Sequence, residues 1–111
     1  TRHMGLSPRK PLRLRMKEGP PISGHTPSVD ALFTSAMPYG KDVVATILTG
    51  MGQDGAKGLL ELRKAGAATF AQDEKSSVVY GMPRVAWETG AAQKQVSLAR
   101  MAGALLQACK T

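Results

Sequence analysis

The chain has 111 residues, which is enough for one domain and excludes a second domain of ordinary size. Fifteen Lys and Arg residues against eight Asp and Glu residues give a net charge of +7, which favours acidic partners by long-range attraction. Nucleic acid is a minor alternative and is not expected, because the few aromatic side chains are scattered rather than interleaved with basic residues.

The cysteine content and the hydropathy restrict the chain further. Cys109 is the only cysteine, so the chain forms no internal disulfide and no thiolate metal cluster. No apolar run approaches the roughly 20 residues of a membrane helix, and no signal-peptide core is present. We therefore expect a soluble, cytoplasmic protein without membrane insertion, metal or cofactor.

The first predicted element is a basic strand. Between Arg9 and Lys17, basic residues alternate with apolar ones, which is the period of a strand with one basic face. A basic face protects a sheet edge from pairing with other chains, so we expect an edge strand or a hairpin arm. The segment Gly19-Pro20-Pro21 ends it.

A helix is predicted from about residue 28. Thr26 or Ser28 is its expected N-cap, and Asp30 falls in the first turn, where a helix favours negative charge. His25, just before it, is a candidate functional imidazole, although a structural hydrogen bond is the commoner role for such a residue. The expected buried stripe consists of Val29, Leu32, Phe33 and Ala36.

The central unit of the chain is a strand, a glycine loop and a helix. The apolar run Val43–Leu48 lacks alternation and predicts a strand buried on both faces of a parallel sheet. The loop Gly50–Gly55 follows, and an amphipathic helix then continues from Ala56 to Gly66, which falls where a left-handed C-cap is expected.

The glycine loop has two interpretations based on its residues alone. It matches the dinucleotide-binding pattern G-x-G-x-x-G, with Asp73 or Glu74 as a ribose-binding carboxylate. However, the charge of Asp54 would repel a pyrophosphate at the helix N-terminus. In the second interpretation, Asp54 only caps the helix that starts at Gly55.

The second half of the chain predicts another strand and two helices. Ala67–Ala71 reads as a buried strand that completes a β-α-β unit, so Asp73 and Glu74 share the carboxyl rim of the sheet with Asp54. Pro83 marks the start of a helix. The last helix begins near Ser97 and carries a predicted core-facing stripe: Leu98, Met101, Ala102, Leu105, Leu106 and Cys109.

Five motifs follow one another along nearly the whole chain. They are Gly19-Pro20-Pro21, His25-x-Pro27-Ser28-Val29-Asp30, Leu48-Thr49-Gly50-Met51-Gly52-x-Asp54-Gly55-Ala56, Ala71-Gln72-Asp73-Glu74 and Val78-Val79-x-Gly81-Met82-Pro83. In this order and spacing they resemble the catalytic domain of CheB-type chemotaxis protein-glutamate methylesterases.

The resemblance implies an α/β fold: the C-terminal part of a doubly wound, mostly parallel sheet with flanking helices, preceded by the basic edge strand or hairpin. It implies a serine esterase that hydrolyses glutamyl methyl esters on methyl-accepting chemotaxis receptors and deamidates some receptor glutamines. Asp54 corresponds to the aspartate of the Ser-His-Asp triad. Met51 is a candidate oxyanion donor through its backbone N–H, and Gly52 lies beside it.

The chain also departs from the family pattern. No Gly-Ala-Ser-Thr segment with the nucleophile is present, and His3-Met4 does not match the segment that carries the base histidine. We therefore expect residues 1–111 to be the C-terminal portion of the catalytic domain, nearly inactive alone, with the regulatory receiver domain also outside it.

The alternative to an enzyme segment is a non-catalytic interaction module. A strand such as Val43–Leu48 is hard to cover completely in so short a chain, and an uncovered edge favours pairing. We therefore expect this chain to form a homo-oligomer.

Overall fold

The computed structural model describes residues 2–6, 14–18, 29–50 and 54–109. Strands and helices alternate from residue 44 onward, which is the order expected of an α/β domain. The elements are β1 (Arg2–Leu6), β2 (Leu14–Glu18), α1 (Val29–Ser35), a 3-10 helix (Met37–Asp42), β3 (Val44–Ile47), α2 (Ala56–Lys64), β4 (Ala68–Gln72), α3 (Met82–Glu88), β5 (Lys94–Val96) and α4 (Leu98–Cys109).

The central sheet is parallel. Its strands lie in the order β3-β4-β5, with Val44 paired to Ala68 and Phe70 paired to Lys94. Because parallel strands end at the same edge of a sheet, the loops that follow β3 and β4 lie along one rim. The predicted parallel sheet with flanking helices is confirmed, and α2 is the crossover between β3 and β4.

The N-terminal basic segment forms a hairpin. Strands β1 and β2 are antiparallel, with Met4 opposite Met16, and they form a separate two-stranded sheet that α1 contacts. This confirms the predicted hairpin arm. The second strand is observed over Leu14–Glu18, whereas residues 7–13 lie outside the described part of the chain.

The residues after α2 show why the helix ends before Gly66. The N–H of Gly66 donates to the carbonyl of Arg63, and the N–H of Ala67 donates to that of Leu62, at 3.1 and 3.0 Å. This pair of bonds requires a left-handed residue, and Gly66 has a φ of +106°. The predicted C-cap is therefore confirmed.

The core lies mainly between α2 and the sheet. Leu59 and Leu62 of α2 are fully buried, and the burial of one such side chain stabilises a fold by roughly 1.5–3 kcal/mol. The surrounding side chains are mostly small, which lets the helices approach closely. They are Ala36, Ala45, Ile47, Ala56, Ala67, Ala71, Ala86, Ala91 and Ala92.

Strand β3 is less enclosed than its sequence predicts. Ala45 and Ile47 are buried, but Val44 and Thr46 on the opposite face are only half-buried, and Leu48 beyond the strand is 42% exposed. On that face Thr46 contacts Met101 of α4. The expectation of a strand buried on both faces is therefore wrong for the described residues, since one face is only half-buried.

Helix α4 is where the prediction of the core fails most clearly. Met101 is its one buried residue, whereas Leu98 and Leu106 are 53% and 64% exposed. Cys109, which we expected to be a small buried hydrophobe, is also exposed. The physical reason is that α4 lies against the sheet through Met101, so the described part of the chain covers only a narrow strip of its apolar face.

Helix α1 also buries a different residue from those expected. Of the predicted stripe, Ala36 is buried but Val29, Leu32 and Phe33 are half-buried, whereas Asp30 is only 4% exposed. The predicted N-caps Thr26 and Ser28, and the candidate His25, lie outside the described residues.

Candidate active-site aspartate

Asp54 lies at the carboxyl rim of the sheet, immediately before α2, and is 6% exposed. Its carboxylate accepts two backbone hydrogen bonds from the first residues of α1. The N–H of Val29 donates to Oδ2 at 2.7 Å, and the N–H of Asp30 donates to Oδ1 at 3.1 Å. Asp54 therefore caps a helix that begins 25 residues earlier in the chain.

The start of α2 is capped in the same way by Asp30. The N–H groups of Gly55 and Gly58 both donate to Asp30 Oδ1, at 3.0 and 2.7 Å. Each aspartate thus accepts backbone N–H groups from the start of the other's helix, a reciprocal arrangement that neither interpretation of the glycine loop predicts.

Two glycines allow the helices to come close enough for this exchange. Gly55 has a φ of +101°, and a Cβ on it would lie 2.9 Å from the side chain of Val29. A Cβ on Gly58 would lie 2.8 Å from the Cβ of Phe33 and 3.0 Å from the carbonyl oxygen of Asp30. These distances are shorter than ordinary contacts, so glycine at both positions permits the contact between α1 and α2.

The same contacts argue against the dinucleotide interpretation. A pyrophosphate would need the N–H groups at the start of α2, where the dipole also favours an anion. The N–H groups of Gly55 and Gly58 already donate to the Asp30 carboxylate. A phosphate there would displace a buried carboxylate and stand close to a second one, that of Asp54.

Thr49 and Gly50, which follow β3, are hydrogen-bonded to the end of β4 and to residues 79–82. The N–H of Thr49 donates to Gln72 Oε1 at 2.7 Å, and its hydroxyl exchanges hydrogen bonds with the backbone of Val79. The carbonyl of Gly50 accepts from the N–H groups of Gly81 and Met82, each at 3.0 Å. Hydrogen bonds therefore hold the chain both where it leaves β3, at Thr49 and Gly50, and where it enters α2, at Asp54 and Gly55.

The other acidic residues of the rim have different surroundings. Asp73 Oδ1 accepts the hydroxyl and the N–H of Ser76, at 2.6 and 3.0 Å, and these bonds hold the pKa of Asp73 below its ordinary 3.8. Glu74 is exposed. Asp73 therefore stabilises the turn after β4. Neither residue resembles Asp54, whose buried carboxylate caps a helix.

Tyr80 adds a polar group to this rim. It lies beside Gly50 in a parallel bridge, and its hydroxyl accepts a hydrogen bond from the side-chain amide of Gln95 at the end of the sheet. Burial raises the pKa of Tyr80 above 10.0, so the hydroxyl stays protonated at neutral pH.

Some predicted features cannot be placed. Met51 and Gly52, the candidate oxyanion and substrate-proximal residues, lie outside the described residues, so their roles stay predictions. Over residues 2–6, 14–18, 29–50 and 54–109, no cluster of three or more metal-ligating acidic, His or Cys side chains is found. In the same ranges, no helix has the length and apolar character to cross a membrane.

Sequence reasoning placed Asp30 in a first helical turn but missed its partner. Its position three residues before Phe33, on the same helix face, was an available signal, because a carboxylate on an apolar face needs hydrogen-bond donors. Nothing local identifies those donors as the N–H groups of Gly55 and Gly58.

Comparison with known proteins agrees with the geometry. The sequence model of the CheB methylesterase family matches residues 1–105. A protein-glutamate methylesterase/protein-glutamine glutaminase of Caulobacter vibrioides is 59% identical over 96 residues, which are 86% of this chain and 28% of that protein. One of Agrobacterium fabrum is 49% identical over 107 residues, covering 96% of this chain and 30% of that protein.

A solved structure shows the same fold. The crystal structure of the Thermotoga maritima CheB methylesterase catalytic domain superposes with a TM-score of 0.89 at 30% sequence identity, covering 96% of this chain and 57% of that domain. The chain thus spans less than a third of the two curated relatives and a little over half of the solved domain. On this evidence, the chain belongs to the CheB methylesterase family.

Proposed function

We propose that this chain is the C-terminal portion of the catalytic domain of a protein-glutamate methylesterase, with Asp54 as the aspartate of a Ser-His-Asp triad. The reaction is hydrolysis of a glutamyl methyl ester to a glutamate carboxylate and methanol, with deamidation of glutamine as the related activity. The observation that carries the proposal is the buried Asp54 carboxylate at the sheet rim, held by two backbone N–H groups.

The chemistry required of Asp54 fits its surroundings. A triad aspartate must stay ionised, keep a fixed orientation and accept an N–H from the catalytic histidine. The two backbone N–H groups at the start of α1 fix the orientation of the Asp54 carboxylate. A carboxylate offers about four acceptor positions, so these two bonds are compatible with an imidazole N–H as a further donor.

The nucleophilic serine and the base histidine belong, in this proposal, to the part of the domain that the chain does not span. The aspartate alone supports no acyl transfer, so the 111-residue chain by itself is expected to be nearly inactive. Met51 and Gly52 would then lie beside the substrate, with the Met51 N–H as an oxyanion donor.

The partners follow from the same proposal. The substrates would be methyl-accepting chemotaxis receptors in the cytoplasm, and a receiver domain in the full-length protein would regulate the esterase. The net charge of +7 is suited to acidic receptor segments, because complementary charge speeds encounter and orients the partners. No nucleic acid, cofactor or metal enters this mechanism.

A non-catalytic interaction module is the second candidate. The exposed Leu98 and Leu106 of α4 favour it, since apolar side chains on one helix face are common where another protein segment binds. The half-buried side of β3 lies toward the same helix, through the contact of Thr46 with Met101. Either a second copy of the chain or the remainder of a catalytic domain would cover this face.

The triad proposal is tested by replacing Asp54 with Asn in the full-length protein. Asn preserves the shape and one acceptor oxygen, so the fold is expected to persist at a cost of about 1–2 kcal/mol. It cannot hold the histidine in the required tautomer, and we expect methanol release from methylated receptor to fall by roughly 10³- to 10⁴-fold in kcat.

The matched control is Glu74→Gln, which removes an exposed carboxylate from the same rim. We expect it to leave methanol release within about twofold, as is usual for surface substitutions. Circular dichroism of both variants establishes that they are folded. Retention of activity by folded Asp54→Asn, at the level of the Glu74→Gln control, would contradict the assignment.

A further inference from the structure

The hydrogen bonds of Asp54 and Asp30 form a closed ring. Asp54 Oδ1 accepts the N–H of Asp30 at 3.1 Å, and Asp30 Oδ1 accepts the N–H of Gly55 at 3.0 Å. Asp54 and Gly55 share a peptide bond, so the ring closes through the backbone. A second bond braces each side, from Val29 to Asp54 and from Gly58 to Asp30. The location of each carboxylate therefore depends on the other.

We propose that Asp30 is a positioning residue of the active site, which holds the Asp54 carboxylate where it can orient the triad histidine. This inference rests on the proposed function, because Asp30 acts only through Asp54. The Asp30 carboxylate accepts the N–H groups of Gly55 and Gly58, and so links the start of α2 to the first turn of α1. The N–H groups of that turn are the ones that hold Asp54.

The side-chain chemistry at position 30 makes the proposal specific. Asp30 Oδ1 accepts the buried backbone N–H groups of Gly55 and Gly58 at once. Asn retains an oxygen at the same position and can accept both N–H groups, although it removes the charge. Ala removes the acceptor. The two buried N–H groups would then need another acceptor, which requires the start of α1 or α2 to move.

Such a movement would be transmitted directly to Asp54. The backbones of α1 and α2 are in contact here, since even a Cβ on Gly58 would lie 3.0 Å from the Asp30 carbonyl oxygen. Val29 and Asp30 therefore cannot shift relative to α2 without changing their bonds to the Asp54 carboxylate. A displacement of about 1 Å in a catalytic group can cost roughly 10²-fold in rate.

The test compares Asp30→Ala and Asp30→Asn in the full-length protein, with Thr34→Ala as the control on the exposed side of α1. Methanol release is measured as kcat and KM and normalised to the folded fraction. We expect Asp30→Ala to lower kcat by roughly 10- to 100-fold with KM within about twofold. Asp30→Asn should retain kcat within about threefold, and Thr34→Ala should not change it.

The pH profile separates positioning from a purely structural role. A well-placed carboxylate stabilises the imidazolium and raises the pKa of the histidine, so displacement of Asp54 should move the acidic limb of kcat/KM to lower pH. Asp30→Asn removes the same charge as Asp30→Ala but keeps the geometry, so the shift is expected only in Asp30→Ala. An unchanged kcat and pH profile in folded Asp30→Ala would overturn the proposal.

If Asp30→Ala does not fold, Gly58→Ala tests the same contact, because its methyl group would push on the Asp30 backbone while both carboxylates remain. It should give the same fall in kcat and the same shift of the acidic limb, to a smaller extent. Wild-type values of both in folded Gly58→Ala would overturn the proposal equally.

A second measurement distinguishes failure of this inference from failure of the triad assignment. Asp30→Ala, Asp54→Ala and the double variant form a cycle of unfolding equilibria, which reports the coupling of the two carboxylates without reference to activity. We expect the coupling to change the unfolding constant by at least about threefold. If Asp54→Asn is active but the two carboxylates are strongly coupled, only the triad assignment is refuted. If Asp54→Asn is inactive, the carboxylates are not coupled and Asp30→Ala is active, only the positioning role of Asp30 is refuted.

Discussion

Replacement of Gly58 by Ala tests the contact between α1 and α2 on which the site depends. Ala is favoured over Gly inside a helix by about 0.5–1 kcal/mol, so the change alone should stabilise α2. Here, however, the new Cβ would lie 2.8 Å from the Cβ of Phe33 and 3.0 and 3.1 Å from the carbonyl oxygen and Cα of Asp30. None of these atoms is the end of a flexible side chain, so the backbone must move.

The expected net effect is a loss of stability. Insertion of a methyl group into a packed contact costs about 1–3 kcal/mol, and weakening of the bond from the Gly58 N–H to Asp30 costs about 0.5–1.5 kcal/mol more. Against the gain in helix propensity, the net loss is about 0.5–4 kcal/mol. Urea unfolding followed by circular dichroism measures it as a lower midpoint.

Gly103→Ala provides the matched control within α4. Gly103 also lies inside a helix, but nothing is within 4 Å of the position that its Cβ would occupy. It should therefore show the propensity gain alone, with stability raised by about 0.5–1 kcal/mol. If Gly58→Ala stabilised the protein as Gly103→Ala does, the close contact between α1 and α2 would be refuted.

Two further predictions concern the rim and the association of the chain. The pKa of Asp73 is lowered in the folded state, so its bonds to Ser76 stabilise the fold above the unfolded pKa, and this contribution disappears as the pH falls through the folded pKa. In an NMR titration, Ser76→Ala should raise the midpoint of Asp73 toward 3.8. An unchanged midpoint would argue against this role of Ser76. The 111-residue chain should elute as an oligomer in size-exclusion chromatography, and a compact monomer at high concentration would count against this.

Local patterns in the sequence predict the main elements correctly. The strand before the glycine loop, the α2 helix and its end at Gly66, and the start of α3 at Pro83 all follow from periodicity and from backbone preferences of Gly and Pro. These signals depend on residues within a few positions of one another. The short strand β5, with exposed Lys94, carries no such signal and is defined by its pairing with β4.

Periodicity does not reveal what covers an apolar face. The stripe of α4 is apolar at helical spacing, yet Met101 alone is buried and Leu106 is 64% exposed. The period identifies the face, but its burial depends on how much of the sheet or of another segment lies opposite. Sequence reasoning about Cys109 failed for the same reason.

The surroundings of the candidate catalytic residue were the least accessible to sequence reasoning. The role of Asp54 is predicted only through a family motif, whereas capping rules consider the adjacent helix alone and would assign Asp54 to α2. The structure joins it to Val29 and Asp30, which lie 25 and 24 residues away. An exchange of caps between two helices is a tertiary property, which arises because Gly55 and Gly58 allow their starting turns to touch.

The proposed triad is tested most directly by the distance between Asp54 and the histidine beside the nucleophilic serine in a crystal structure of the full-length protein. We predict that one carboxylate oxygen of Asp54 lies about 2.6–3.2 Å from an imidazole nitrogen, and that the other ring nitrogen faces a serine hydroxyl. A structure in which a different carboxylate contacts that histidine, while Asp54 bonds only to the start of α1, would contradict the central claim.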